Sequence, residues 1–251
     1  MNNYRSPDGL PTDLCIFTLA PKPVASKRKS LPQLELQVLL IQRSEESKLY
    51  PNQWSFPGGF SKENETLFES ALRQLKEETS IGDDVHLKQL GAYYTPNEKN
   101  GWIPTIAYYA LVPYVNFRTM ETSTQATKAK LVPVEEAMHL SLAFDHNDIL
   151  RDAVKRIRFN MLTTILAKEF LADEFTIAEL INVVQTVVPG LDIDKANFLK
   201  GITSTKKRQG VLEPICDANG QPKKSNQYSQ APAQLYRFTG YEPFSSIYNA
   251  T

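Results

Sequence analysis

Residues 58–81, GGFSKENETLFESALRQLKEETSI, constrain this chain more than any other stretch. Two glycines open it and a polar turn follows. From Thr66 onward Leu67, Phe68, Ala71, Leu72 and Leu75 recur at helical spacing, which predicts an amphipathic helix with one apolar stripe. Thr66, with Glu69 three residues on, has capping-box spacing and marks the helix start. Glu77 and Glu78 fall on the side away from the stripe, and position 74 joins them there, because residues three and four apart are helix neighbours. Arg73 stands one turn before Glu77 and can pair with it. Carboxylates gathered on one helix face repel each other, and magnesium or manganese would relieve that repulsion. A solvated face with ion pairs four residues apart is the plainer arrangement for a Glu-rich helix.

The spacing of the whole stretch resembles the Nudix box. That pattern runs Gly, five residues, Glu, seven residues, Arg-Glu, an apolar residue, any residue, Glu-Glu, any residue, Gly, and an apolar residue. Here Gly59, Glu65, Arg73, Leu75, Glu77, Glu78 and Ile81 stand at the matching places, and the preceding WSFPGGF is similar to the family's lead-in. The resemblance implies an α/β/α sandwich and, in active members, metal-dependent hydrolysis of nucleoside diphosphate derivatives.

Two positions depart from the pattern. Gln74 stands where the family has the glutamate after the arginine, and Ser80 where it has the second glycine. In active members that glutamate is a principal metal ligand or the catalytic base. A glutamine amide carries no charge and takes up no proton near neutral pH. The helix is left with two of the family's carboxylates, so Mg2+ or Mn2+ would be held weakly by Glu77 and Glu78, and hydrolysis is expected to be weak or absent.

Ahead of the box, Pro11–Ala20 reads as a strand, the Pro-, Ser- and Lys-rich residues 21–33 as a loop, and Leu36–Ile41 as a buried strand followed by Arg43. The Nudix resemblance places Arg43 near ligand phosphates, although a surface arginine closing a strand would look the same. Trp54 and Phe56 fit either stacking on an adenine or the core, with core the simpler reading. After the box, Leu87–Tyr93 and Thr105–Val112 read as strands around the loop TPNEKNGWIP. That loop carries Trp102, and Glu98 as a substitute acid or base, although a lone loop glutamate is usually solvated.

A short helix over Val134–His139 precedes LAFDHNDILRDAVKRIRFNM, in which Ile149, Ala153, Ile157 and Met161 repeat every four residues. This predicts a long amphipathic helix. His146 in its first turn reads as a capping and packing residue with Asp145 and Asn147, rather than a metal ligand. Thr176 and Glu179 form a second capping box, with Leu180, Val183, Val184 and Val187 at helical spacing and Pro189-Gly190 as the stop. Another short helix follows, capped by Asp192 or Asp194. Gly210–Ile215 and Gln234–Phe238 then read as two strands around a polar loop with Gly220, Lys223 and Lys224. Helix, turn, helix and β-hairpin is the order of a winged helix.

The net charge is zero, so any signal for nucleic acid has to be local. It is: between 195 and 224 seven basic residues (Lys195, Lys200, Lys206, Lys207, Arg208, Lys223, Lys224) face two acidic ones (Glu213, Asp217). Such a patch suits DNA phosphates. With 41% hydrophobic and 22% charged residues the composition is that of an ordinary globular protein. Two distant cysteines form neither a disulfide framework nor zinc spacing, and no apolar run is long enough to span a bilayer, which together point to the cytoplasm.

Box, LAFDHNDIL, EFTIAEL, NF and a closing PAQLYRF, in that order, resemble the Nudix-related (NrtR-like) transcriptional regulators over nearly the whole chain. The resemblance implies a Nudix-like sensing domain over 1–143, a linking helix over 144–165 and a winged-helix DNA-binding domain over 166–251. It implies a homodimeric repressor of NAD metabolism or sugar use, bound to operator DNA and responsive to ADP-ribose or a related nucleotide or sugar, with no cofactor needed for DNA binding. Ligand contacts are then expected from Arg43, Trp54, Phe56, Gly58, Gly59, Arg73, Glu77 and Trp102. DNA contacts are expected from Lys195, Asn197, Lys200, Lys206, Lys207, Arg208, Lys223 and Lys224. The rival reading is a working Nudix hydrolase of ADP-ribose or another nucleoside diphosphate derivative, with Glu77, Glu78 and Glu98 as its acidic groups.

Overall fold

A computed structural model of the chain describes residues 10–23, 29–79, 85–94, 103–119, 128–198, 210–228 and 231–241. The chain divides into two compact units, Met1–Thr18 with Gln37–Lys155, and Leu19–Leu36 with Arg156–Thr251.

The first unit is built on a mixed sheet. Among the described residues it has seven strands: β1 (Pro11–Pro21), β2 (Leu34–Gln42), β3 (Trp54–Ser55), β4 (Gly58–Phe60), β5 (His86–Tyr93), β6 (Thr105–Leu111) and β7 (Lys128–Pro133). The order is β3-β2-β1-β6-β5, with β4 paired to β1 and β7 to β2. β1 runs parallel to β6 from Thr12↔Ile106 to Phe17↔Leu111, while its first residues also pair antiparallel with β4, Asp13 opposite Gly58. β1 is buried almost without interruption from Leu14 to Ala20, the pattern of a strand covered on both faces. On one face α1 (Leu67–Thr79) packs Ala71 and Leu75 against Leu14, Ile16, Leu39, Tyr108 and Ala110. The alternate residues Cys15, Phe17, Val38, Leu40, Tyr109 and Leu111 are buried as well, so the other face is covered too.

A short helix α2 (Val134–Ala137) leads to α3 (His146–Thr163), whose Ile149, Ala153, Ile157 and Met161 are all fully buried, as their four-residue repeat predicts. The Tyr93 hydroxyl donates to Asp152 at 3.1 Å and ties β5 to this helix. Phe68, expected on the buried stripe of α1, is 49% exposed and meets the Tyr108 ring edge-on. The stripe is narrower than five apolar residues suggest, because the sheet surface beneath one helix accepts about two residues per turn.

In the second unit, α4 (Ile177–Val187) buries Ile177, Leu180, Ile181, Val183, Val184 and Val187. The capping box is present: the Thr176 hydroxyl accepts from the Glu179 N–H, and the Glu179 carboxylate accepts from the Thr176 N–H. Arg158 donates to the Val187 carbonyl at the other end of the helix, where a cation suits the helix dipole. Gly190, at φ +80°, turns the chain. Asp194 then caps the next helix by accepting from the Asn197 N–H, residues 195–198 are helical, and Phe198 is buried. A second sheet joins β8 (Phe175–Thr176), β9 (Leu212–Pro214), β10 (Lys224–Ser225) and β11 (Ala233–Phe238), with β11 bonded to each of the others. The polar segment expected as a loop is itself a hairpin. It turns at Asp217–Gly220, Cys216 bridges to Pro222, and the Lys223 N–H donates to the Ile215 carbonyl. No helix among the described residues is long and apolar enough to cross a membrane.

Thr176 holds the start of α4 and also pairs with Leu235 in the sheet. Thr176→Ala is expected to destabilise the protein by about 1 kcal/mol through loss of the cap. Thermal unfolding followed by circular dichroism will show this as a lower Tm, whereas Thr176→Ser should stay close to wild type.

Candidate functional site

A cavity of about 350 Å³ opens where β1, β2, β4 and the start of α3 converge in the first unit. Arg43, Phe56, Gly58 and Gly59 line it, as the sequence suggests. Asp13, Phe144, Asp145 and His146 line it too, as do the apolar Ile41, Leu49, Phe60 and Ile103. Asp13 is the residue that sequence reasoning passed over. Its signal is a charge set within the otherwise apolar TDLCIF strand.

Close approach of backbones shapes the cavity floor. A Cβ on Gly58 would lie 2.6 Å from the Thr12 carbonyl oxygen and 2.6 Å from Asp13 Oδ1, so only glycine fits there. Arg43 donates from Nε to the Leu49 carbonyl at 3.0 Å, and its guanidinium lies 4.8 Å from the centre of the Phe144 ring. Partial burial lowers the Arg43 pKa from its ordinary value, and the Asp13 carboxylate opposes that shift. Phe144 adopts a left-handed backbone, φ +54°, which places its ring between Arg43, Tyr50 and His146. His146 is 2% exposed, stacks on Phe56 and accepts the Phe56 backbone N–H at Nδ1, 2.9 Å away. The packing role expected for His146 is therefore met, and the cavity adds a second. Asn147 bonds Leu140 and Leu142 and so secures the segment before the helix.

The helix face read as acidic is organised differently. Gln74 is buried, not grouped with Glu77 on an outer face. Its Nε2 donates to the Gly59 carbonyl at 2.8 Å and to Ser70 Oγ at 3.2 Å. The reason is geometric: β4 passes so close to α1 that the side chain at 74 is enclosed between them. A glutamate in this pose would set a carboxylate oxygen against that carbonyl. Arg73 pairs chiefly with Glu65, at 2.7 and 2.9 Å, and only secondarily with Glu77 at 3.3 Å. It also donates to the Phe60 carbonyl, which pins the turn after β4 onto the helix. Glu77 is exposed, and neither it nor Arg73 lines the cavity. Trp54 is half-buried outside the cavity, pairing with Gln42. Among the described residues no three His, Cys, Asp or Glu side chains assemble as a metal site. The donors present fit the divalent cation of active Nudix enzymes poorly, since the central position is a neutral amide already bonded to backbone. Glu98, Trp102 and the side chain of Glu78 lie outside the described residues.

In the second unit, Lys195 and Asn197 stand exposed on the first turn of the helix after α4, and Lys224 on β10. Lys223 is exposed on the hairpin, but its ammonium pairs with Glu174 at 2.6 Å, a partner outside the stretch over which charge was counted. Arg237 pairs with Glu213 across β11 and β9. Lys200, Lys206, Lys207 and Arg208 lie outside the described residues.

A mixed sheet with the box helix against it, followed by helix, turn, helix and a β-hairpin, defines a Nudix domain joined to a winged helix. The NUDIX domain model matches residues 32–153. The ADPR responsive transcriptional repressor NtrR of Acinetobacter baylyi is 33% identical over 83% of this chain and 78% of its own length. The crystal structure of Shewanella oneidensis NrtR covers 94% of this chain and 99% of that one, at 25% identity and TM-score 0.71. The same protein complexed with a 27mer DNA matches in fold at 24% identity and TM-score 0.68, covering 94% and 98%. The chain belongs to the NrtR-like family of Nudix-related transcriptional regulators.

Hydrogen bonds from Arg73 draw the Glu65 pKa from the ordinary 4.5 down to about 2. A depressed carboxylate stabilises the fold above its unfolded pKa and loses that contribution as pH falls through its folded one. The stability gap between wild type and Arg73→Met is therefore expected to be complete at pH 7, to shrink below about 4.5 and to close near 2. Urea denaturation across that range measures it.

Proposed function

We propose that this protein is a DNA-binding repressor whose Nudix domain binds ADP-ribose or a closely related nucleotide as a signal rather than turning it over. The observation that carries this reading is Gln74, buried and bonded through its amide to the Gly59 carbonyl. The position that serves metal or base in active Nudix enzymes here cements the wall of a binding cavity. Arg43, stacked on Phe144 beside that cavity, is a preformed partner for an anionic ligand. The similarity to a repressor described as ADPR responsive supports the ligand class.

A dimer would present two winged helices to a palindromic operator, with Lys195 and Asn197 at the groove and Lys224 on phosphate. Ligand binding releases DNA only if the ligand prefers the conformation that binds DNA less well. Magnesium, if it binds, would rest on Glu77 and Glu78 and is not needed for DNA binding.

Calorimetric titration of ADP-ribose into the full chain with magnesium present is the direct test. Saturable binding heat without continuing reaction heat, and weaker DNA binding in the presence of ligand, are expected. Sustained heat from turnover would establish the hydrolase instead.

The wing has its own test. Replacing Glu174 by Gln releases Lys223 from its ion pair. Affinity for a duplex of random sequence is expected to rise and its salt dependence to steepen by up to about one released counterion. Lys223→Ala with Lys224→Ala is expected to weaken binding and flatten that slope. Fluorescence anisotropy at several salt concentrations reads both, and unchanged slopes would remove these lysines from the interface.

A further inference from the structure

We propose that Asp13 and His146 form a hydroxyl-binding subsite that reads the ribose of the ligand. This deepens the sensor reading above and rests on it. His146 accepts the Phe56 N–H at Nδ1, so its neutral ring carries the proton on Nε2. That Nε2 is buried, makes no hydrogen bond among the described residues, and belongs to a residue lining the cavity. Its neighbour is Asp13 Oδ1 at 3.4 Å, beyond a well-formed N–H···O bond.

The pair is therefore a donor and an acceptor set side by side and not joined. An alcohol oxygen about 2.8 Å from each atom would accept from Nε2–H and donate its own proton to the carboxylate, satisfying both at once. A carbonyl matches the pair less well because it has no proton to give Asp13, and an ammonium has no lone pair for Nε2–H; water matches it, and a sugar hydroxyl would take that water's place. A phosphate is repelled by Asp13 and attracted to Arg43, which lines the same cavity. The two demands together describe a phosphorylated pentose, its hydroxyl at Asp13 and His146 and its anion at Arg43.

Neighbouring groups pack closely around the pair. Phe56 stacks on the imidazole with ring centres 4.8 Å apart. Gly58, which has no Cβ, leaves the Asp13 carboxylate the place it occupies, since a Cβ there would lie 2.6 Å from Oδ1. Hydrogen bonds to a charged partner discriminate strongly against ligands that lack the matching group.

The test compares ligands as well as variants, using the full chain. ADP-ribose, ribose 5-phosphate, 2-deoxyribose 5-phosphate and methyl phosphate are titrated by calorimetry into wild type, Asp13→Asn and His146→Gln, with circular dichroism confirming the fold of each variant. Ribose 5-phosphate is expected to bind wild type, about tenfold to a hundredfold more tightly than methyl phosphate, and each substitution should erase most of that preference. ADP-ribose should weaken by a similar factor in both variants. If ADP-ribose binds wild type and both variants alike, the subsite is overturned and the sensor reading stands. If ribose 5-phosphate shows the dependence but ADP-ribose does not bind, the subsite stands and the ADP-ribose reading fails. Equal binding of ribose 5-phosphate and methyl phosphate to wild type overturns the subsite even where a variant fails to fold. Binding of none of the four overturns both.

Discussion

The site depends on the close passage of β4 between β1 and α1. Gly58 allows the backbone to approach Thr12 and Asp13 within a distance that no Cβ permits. Gly59 then offers its carbonyl to Gln74, and Arg73 grips the Phe60 carbonyl and Glu65 just beyond. Three consecutive residues of β4 are thus fixed by contacts on either side. The cavity keeps its shape because its floor is held by backbone and charged hydrogen bonds, which resist displacement more than apolar contact does.

This arrangement shows how the Nudix scaffold is kept with a neutral amide at position 74. A carboxylate at position 74 would have to lie against a carbonyl oxygen or draw in a cation to relieve the contact. An amide satisfies the carbonyl directly. The helix then braces β4 from behind, through Gln74 on the Gly59 carbonyl and Arg73 on the Phe60 carbonyl and Glu65. The polar groups that line the cavity come from elsewhere: Asp13 on β1, Arg43 after β2, and His146, which is at once part of the cavity wall and the first residue of α3.

Much of this was legible in the residues. Both capping boxes, the box helix, the buried repeat of α3 and the long strands lie where spacing places them, because those patterns are local and obey fixed helical or strand periods. The two glycines stand in the motif and Arg43 at a place the family resemblance singles out, and all three line the cavity. Asp13 could not be named in advance. It is brought to His146 by strand pairing and by the turn into α3, and neither neighbourhood shows in a stretch of ten residues. Glu174 escaped for a related reason. It lies 49 residues before Lys223 in sequence yet pairs with it, so a charge count over one stretch overstated the free basic charge of the wing.

The sequence by itself determined the family, the order of elements and the loss of a carboxylate at position 74, since each is a property of residue type and spacing. Only the tertiary structure decided what Gln74 does instead, which partner Arg73 chooses and which polar groups meet in the cavity. Those outcomes depend on distances of a few ångströms between segments far apart in the chain. Hydrogen bonds and excluded volume act over that range, and sequence spacing does not encode it.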